Sequence, residues 1–163
     1  MDIKTLFEIG MDRELGECND APGGTIINVG AGNKDIKNAI PFDYPEWDAD
    51  REPLPLPDDS VACIHAYHFL EHVQNPAAIL QEFQRVLHVG GVVNIVVPYY
   101  TSQMAAHDLD HKHVFCEETW RVLFGNPYYD KNRVEWRFKI GVNVIMGIVE
   151  RNLALITQLV RVP

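Results

Sequence analysis

A β-branched apolar run, Thr25-Ile26-Ile27-Asn28-Val29, ends directly at Gly30-Ala31-Gly32. Consecutive apolar positions of this kind read as a strand buried on both faces. Two glycines at its carboxyl end let the backbone approach a ligand closely. Most such glycine triplets are simple turns, so their meaning depends on the residues downstream. Ala39–Phe42 reads as a second strand, which Pro41 places at an edge or a strand end. Residues 43–60 carry Pro45, Pro53, Pro55 and Pro57 and read as a long loop. Val61–His65 is the next strand. A helix follows, with Asn75 as its cap, Pro76 at its first position and Gly90-Gly91 at its end. Its apolar stripe is Ile79, Leu80, Phe83, Val86 and Leu87. Val92–Val97 is a central strand stopped by Pro98. This order of elements predicts an α/β sheet with crossover connections.

The C-terminal part has a different pattern. Val134, Trp136, Phe138 and Ile140 alternate with Glu135, Arg137 and Lys139, which predicts a strand with one wet face. Residues 142–149 and 153–162 are apolar and are broken by Glu150-Arg151-Asn152. They read as the arms of an antiparallel hairpin. One amphipathic helix is the competing reading, because Ile145, Ile148, Val149, Leu153, Ile156 and Leu159 also fit helical spacing.

Composition bounds the class of protein. The chain has 163 residues, 47% hydrophobic and 23% charged, which fits one globular domain able to bury its own core. A net charge of −9 argues against a generic grip on nucleic acid, whose phosphates call for Lys and Arg. No apolar run reaches eighteen residues, and Met1-Asp2-Ile3-Lys4 lacks the pattern of a signal peptide. Cys18, Cys63 and Cys116 are far apart and odd in number, which fits a reducing cytoplasm better than a disulfide framework.

Further along, Asp43 closes the second strand, and Asp50 and Leu54-Pro55-Leu56-Pro57-Asp58 precede the third. Glu71-His72-Val73, Arg85-Val86-Leu87 and Gly90-Gly91 come after it. This series resembles the small class I methyltransferases, whose members read glycine loop, acid, "D…LPF.D.S", ".LEHV" and "RVLKPGG". The resemblance covers roughly residues 25–98 in order. His107 to Phe115, with Glu117-Glu118-Thr119-Trp120, resembles the "DxxHxxxFxxETW" stretch of many relatives, and the nearest flavour is that of small bacterial and phage-encoded members. The implied fold is Rossmann-like: a mainly parallel twisted sheet flanked by helices, with a C-terminal antiparallel hairpin. The implied organisation is one domain. Residues 1–24 form an N-terminal helix and loop, 25–98 the cofactor-binding core, 99–133 a lid and acceptor region, and 134–163 the hairpin.

The resemblance implies S-adenosylmethionine as cofactor and a methyl acceptor that is an oxygen or nitrogen of a small molecule or sugar. It implies cofactor contacts from Asn28, Gly30, Ala31, Gly32, Asp43, Asp50, Ala66 and Tyr67. Asp43 would accept the ribose hydroxyls; Asp50 would hold the adenine amine or merely cap the proline-rich loop. Asn28 stands where relatives carry an acid, Cys63 where an Asp is common, and Lys34 where a third small residue is usual. Only eleven positions separate Gly32 from Asp43, so the first crossover helix must be a single turn or absent.

On the acceptor side, His111, His107 and Asp108 are candidates for the general base. His68-Phe69-Leu70-Glu71-His72 resembles the E-x-x-E-H metal motif of certain O-methyltransferases, with His68, Glu71 and His72 as ligands and a fourth from His107 or His111. An ordinary turn is the preferred reading there, so no metal is expected. A nicotinamide dehydrogenase would need GxGxxG, and Asp35 occupies the third glycine position. His65-Ala66-Tyr67-His68 does not match the motif of DNA adenine methylation, and no Pro-Cys nucleophile exists for cytosine. The alternative of another class is a non-catalytic, methyltransferase-like binding module.

Overall fold

The computed structural model describes residues 24–125, 134–148 and 152–163. The expected N-terminal helix therefore lies outside the described residues, as does part of the expected lid. Strands β1 (Thr25–Val29), β2 (Ala39–Phe42), β3 (Val61–Tyr67) and β4 (Leu87–Pro98) are followed by β5 (Phe138–Ile148) and β6 (Asn152–Arg161). Helices α1 (Pro76–Val86), α2 (Gln103–His107) and α3 (Glu117–Gly125) complete the described elements. The six strands form one sheet in the order β2-β1-β3-β4-β6-β5. The pairs β1–β2, β1–β3 and β3–β4 are parallel, and β4–β6 and β5–β6 are antiparallel. This is the Rossmann-like sheet with an antiparallel C-terminal hairpin that the element order predicts. No helix among the described residues is long and apolar enough to cross a membrane.

Burial explains each strand's composition. β3 lies between β1 and β4, and its residues Val61 to Ala66 are all buried. β2 is the edge strand, so Pro41 removes no donor that an inner strand would need. Asn75 accepts a hydrogen bond from the Ala78 amide and starts α1, with Pro76 in the first turn. The α1 stripe Ile79, Leu80, Phe83 and Val86 packs into one core with Ile64, Ile95, Leu155 and Leu159.

Several boundaries differ from the sequence expectations. α1 ends at Val86, with Leu87 already extended, so Gly90-Gly91 does not end the helix but lies inside β4. Residues 134–137 form no strand, and β5 begins at Phe138. The alternation there is real, since Phe138 is buried and Trp136 packs on the core. Its backbone, however, docks on the helix side chain of Gln84, which accepts from the Arg137 amide and donates to the Glu135 carbonyl. β5 and β6 pair antiparallel, as the hairpin reading expects, and are not parts of one helix. Leu155 and Ile156 point to opposite faces of β6 and both are fully buried, which marks a strand covered on both faces. Cys63 is fully buried in β3, and Cys116 is free.

Candidate active site

The parallel strands all end at the same rim of the sheet, where α/β folds bind their ligands. Residues 30–38, which link β1 to β2, contain turns and no helix, as the short spacing requires. At this rim a cavity of about 290 Å³ is lined by Gly30, Gly32, Asp43, Trp47, Asp50, His68, Phe69 and His72, among others.

The glycine loop forms one wall. Gly30 and Gly32 have φ of +63° and +51°, a region that side chains strongly disfavour. A Cβ on Gly30 would meet Phe69 at 2.6 Å, whereas one on Gly32 would meet nothing within 4 Å. Gly30 is therefore needed for packing, and Gly32 opens on space a ligand can use. Asp43 faces this loop from the end of β2. One carboxylate oxygen accepts from the Gly32 amide at 2.6 Å and the other from the Tyr44 amide at 2.9 Å. Each oxygen keeps a lone pair for another donor.

The proline-rich loop is the second wall. Trp47, which is buried, stacks near Phe69 with ring centroids 6.2 Å apart. Asp50 accepts from the Gln74 amide at 2.7 Å and lies 3.9 Å from the Lys112 ammonium. Arg85 clamps the far end of this loop: it donates to the carbonyls of Leu56 and Leu54 and to Asp58, and it pairs with Glu82. The Glu82 bond first, then Asp58, holds the guanidinium even more firmly charged than usual. Glu82 in turn accepts from the Leu54 amide.

Beneath the third wall, His68 follows β3 with φ of +55°. Its Nδ1 lies 3.2 Å from Glu71 Oε1. An ionised carboxylate only accepts, so in a neutral imidazole this contact puts the proton on Nδ1 and the lone pair on Nε2. Glu71 is fully buried, and its Oε2 finds no hydrogen-bond partner among the described residues. His111 packs edge-on against His72, with centroids 4.7 Å apart.

The sequence candidates fall into three groups. Gly30, Gly32, Asp43 and Asp50 meet at the cavity. Asn28 and Ala31 are buried beneath the loop, where Asn28 donates to the Lys34 carbonyl. Ala66 is fully buried in the core, and Tyr67 packs on the other face with its hydroxyl 2.8 Å from His65 Nδ1. Neither lines the cavity; His68 and Phe69 stand there instead. Burial lowers the His65 pKa to about 4. Of the acceptor-side candidates, exposed His107 is turned to the Gln103 carbonyl. Asp108 lies 3.7 Å from His111, and the Asp110 amide holds its carboxyl below the usual range, helped by the nearby histidines. His111 is the one of the three that touches a cavity residue. Phe69 and Trp47 are cavity residues that reasoning from sequence did not place there, and His68 was placed only as a candidate metal ligand.

A larger groove of about 670 Å³ runs between α1 and α3, lined by Leu80, Phe115, Trp120, Leu123 and Trp136. It holds neither the glycine loop nor Asp43, and size alone does not make it the site.

The architecture is that of the Rossmann-like class I methyltransferase fold. Residues 28–95 match the family described as Methyltransferase domain, and that family and fold indicate S-adenosylmethionine as the cofactor. The chain is similar to an S-adenosylmethionine-dependent methyltransferase from Mesorhizobium loti, with 13% identity and a TM-score of 0.64 over 98% of this chain and 100% of that one. A chain in the complex of the Haloferax volcanii Trm112 methyltransferase activator with a methyltransferase is similar at 14% identity and a TM-score of 0.63, covering 99% and 96%. An S-adenosylmethionine-dependent methyltransferase from Aquifex aeolicus matches at 13% identity and 0.59, covering 97% and 98%. No curated protein matches the chain by sequence.

Proposed function

We propose that this chain moves a methyl group from S-adenosylmethionine to an oxygen or nitrogen of a small molecule or sugar, as a soluble, cytoplasmic enzyme. The observation that carries the reading is the pairing of Asp43 with the open side of Gly32, a carboxylate with spare lone pairs beside a backbone that nothing obstructs. When bound, the cofactor supplies an electrophilic methyl on a sulfonium. Asp43 would accept the ribose hydroxyls, Gly30 and Gly32 would let the backbone approach the amino-acid part, and Asp50 and Trp47 would bound the base.

Methyl transfer is an in-line displacement, so alignment of the two reactants supplies most of the acceleration. A hydroxyl acceptor must also lose a proton. His68 is the group best arranged to take it, because Glu71 fixes its tautomer and leaves Nε2 toward acceptance. This reading moves the base from His111, His107 or Asp108 to His68, which lines the cavity.

Calorimetry with S-adenosylhomocysteine tests the cofactor half. Asp43→Ala should weaken binding by about 1–3 kcal/mol, the cost of leaving donors unpaired. Unchanged affinity would remove Asp43 from the ribose site. Once an acceptor is in hand, His68→Gln should cut turnover by about a hundredfold or more with cofactor affinity intact.

A further inference from the structure

We propose that Glu71, His72 and His111 form a binding site for one divalent transition-metal ion, of the zinc type, at the wall of the cavity. Two observations carry this independently. First, one ligating atom from each of these three side chains lies within 4.8 Å of the other two. Second, Glu71 is fully buried and its Oε2 is left without a hydrogen-bond partner among the described residues. A buried carboxylate oxygen with no donor is costly. A cation repays that cost, and the remaining two ligands are already beside it.

The three side chains reach this point from distant stretches of chain. Glu71 and His72 follow β3, and His111 comes from the loop after α2. The backbone itself ties that loop down: the Lys112 amide donates to the Glu71 carbonyl at 2.7 Å. His111 therefore does not arrive by chance rotation of an exposed loop.

The donor set selects the ion. Two imidazoles and one carboxylate suit zinc or a neighbouring transition metal better than magnesium, which prefers oxygen. Tetrahedral bonds of about 2.0–2.2 Å put ligand atoms about 3.3 Å apart, so closing on the ion takes a movement of no more than about 1.5 Å. The outer shell is present as well. Glu71 Oε1 holds His68, and the two ring nitrogens of His111 face the Asp108 carboxylate and the Ala105 carbonyl, so whichever does not ligate keeps an acceptor. Lys112 is the nearby cation, and Asp50 and the His72 carbonyl engage it. Three protein ligands leave one coordination position open, as in catalytic sites. His72 lines the cavity, so an oxygen acceptor bound at that position stands beside the methyl-transfer site proposed above.

The test uses the whole chain, stripped with chelator and titrated with Co²⁺ alone. Visible absorption should saturate at one equivalent, and Zn²⁺ should displace it and raise the melting temperature. His72→Ala and His111→Ala should each weaken Co²⁺ binding about tenfold or more, a loss comparable with the effect of outer-shell changes at least. Both positions are only partly buried, so these variants should fold; circular dichroism checks that they do. Absence of Co²⁺ absorption in the wild type, or wild-type affinity in folded His111→Ala, overturns the site. Binding of S-adenosylhomocysteine is measured on the same samples. A chain that binds it without binding Co²⁺ sinks the metal site alone, and the reverse sinks the methyltransferase reading alone.

Discussion

Strands β2, β1 and β3 bring Asp43, the glycine loop and His68 to one rim of the sheet, whereas β5 and β6 contribute no described residue to the cavity. The difference follows from strand direction. Parallel strands all end on the same side, so their following loops accumulate there, while an antiparallel pair sends successive ends to opposite sides. The antiparallel side has another task. β6 places Leu155, Ile156 and Leu159 fully inside, joining both apolar clusters of the sheet. Chemistry is concentrated on one half of the sheet and burial on the other.

The strongest way to break this comparison is to injure the antiparallel half. Leu155→Ala should cost about 2–5 kcal/mol of stability, read as a shift in denaturant midpoint. The folded fraction should still bind S-adenosylhomocysteine with normal affinity. A loss of affinity in step with stability would show that the hairpin shapes the cavity after all.

Acid should reveal the parallel half. His65 on β3 has its pKa lowered by burial from 6.5 to about 4. Between these values the unfolded chain binds the extra proton and the native chain does not, so stability rises with pH across the window. The contribution is complete above pH 6.5 and is lost progressively toward pH 4, by up to about 3 kcal/mol. Urea midpoints measured from about pH 7 to about pH 4 on wild type and His65→Leu should diverge by this amount. Parallel curves would mean that His65 takes up its proton without penalty.

A smaller effect sharpens the picture at the rim. Gly32→Ala should cost about 1–2 kcal/mol of stability through its left-handed backbone alone, because no atom obstructs the new methyl. Gly30→Ala should cost more, since its methyl would strike Phe69. Thermal melts of the pair should keep that order.

Local signals were readable from the sequence, and signals set by distant partners were not. The Asn75-Pro76 start of α1, the buried run Thr25–Val29 and the edge position implied by Pro41 each depend on a few neighbouring residues, and each is found. Asp43 and the glycines were legible because a strand's end fixes where its next residues go. Ala66 and Tyr67, expected at the site, do not line the cavity, where His68 and Phe69 stand two residues further on. β3 runs on to Tyr67, paired with Val96, and its last bond comes from the His68 amide to the Val96 carbonyl. That partner, far along the chain, decides where the strand stops. The start of β5 is similar, being set by Gln84 on a helix. The meeting of Glu71 with His111 is a tertiary event that only the resemblance to a metal motif pointed to, and Arg85 on the proline-rich loop had no such pointer.

The position of β6 also bears on how the protein is made. It is the last strand in sequence, yet it lies between β4 and β5. A ribosome therefore delivers every residue of the cavity, and then β5, before the strand that joins β5 to the rest. During that interval the backbone edge of β4 at Val93, Ile95 and Val97 has no neighbour, and an apolar edge of this kind recruits other chains. A premature stop before Asn152 would release a product with every residue that lines the cavity and an open sheet. Such a product is a client for chaperones and proteases, not a shortened enzyme.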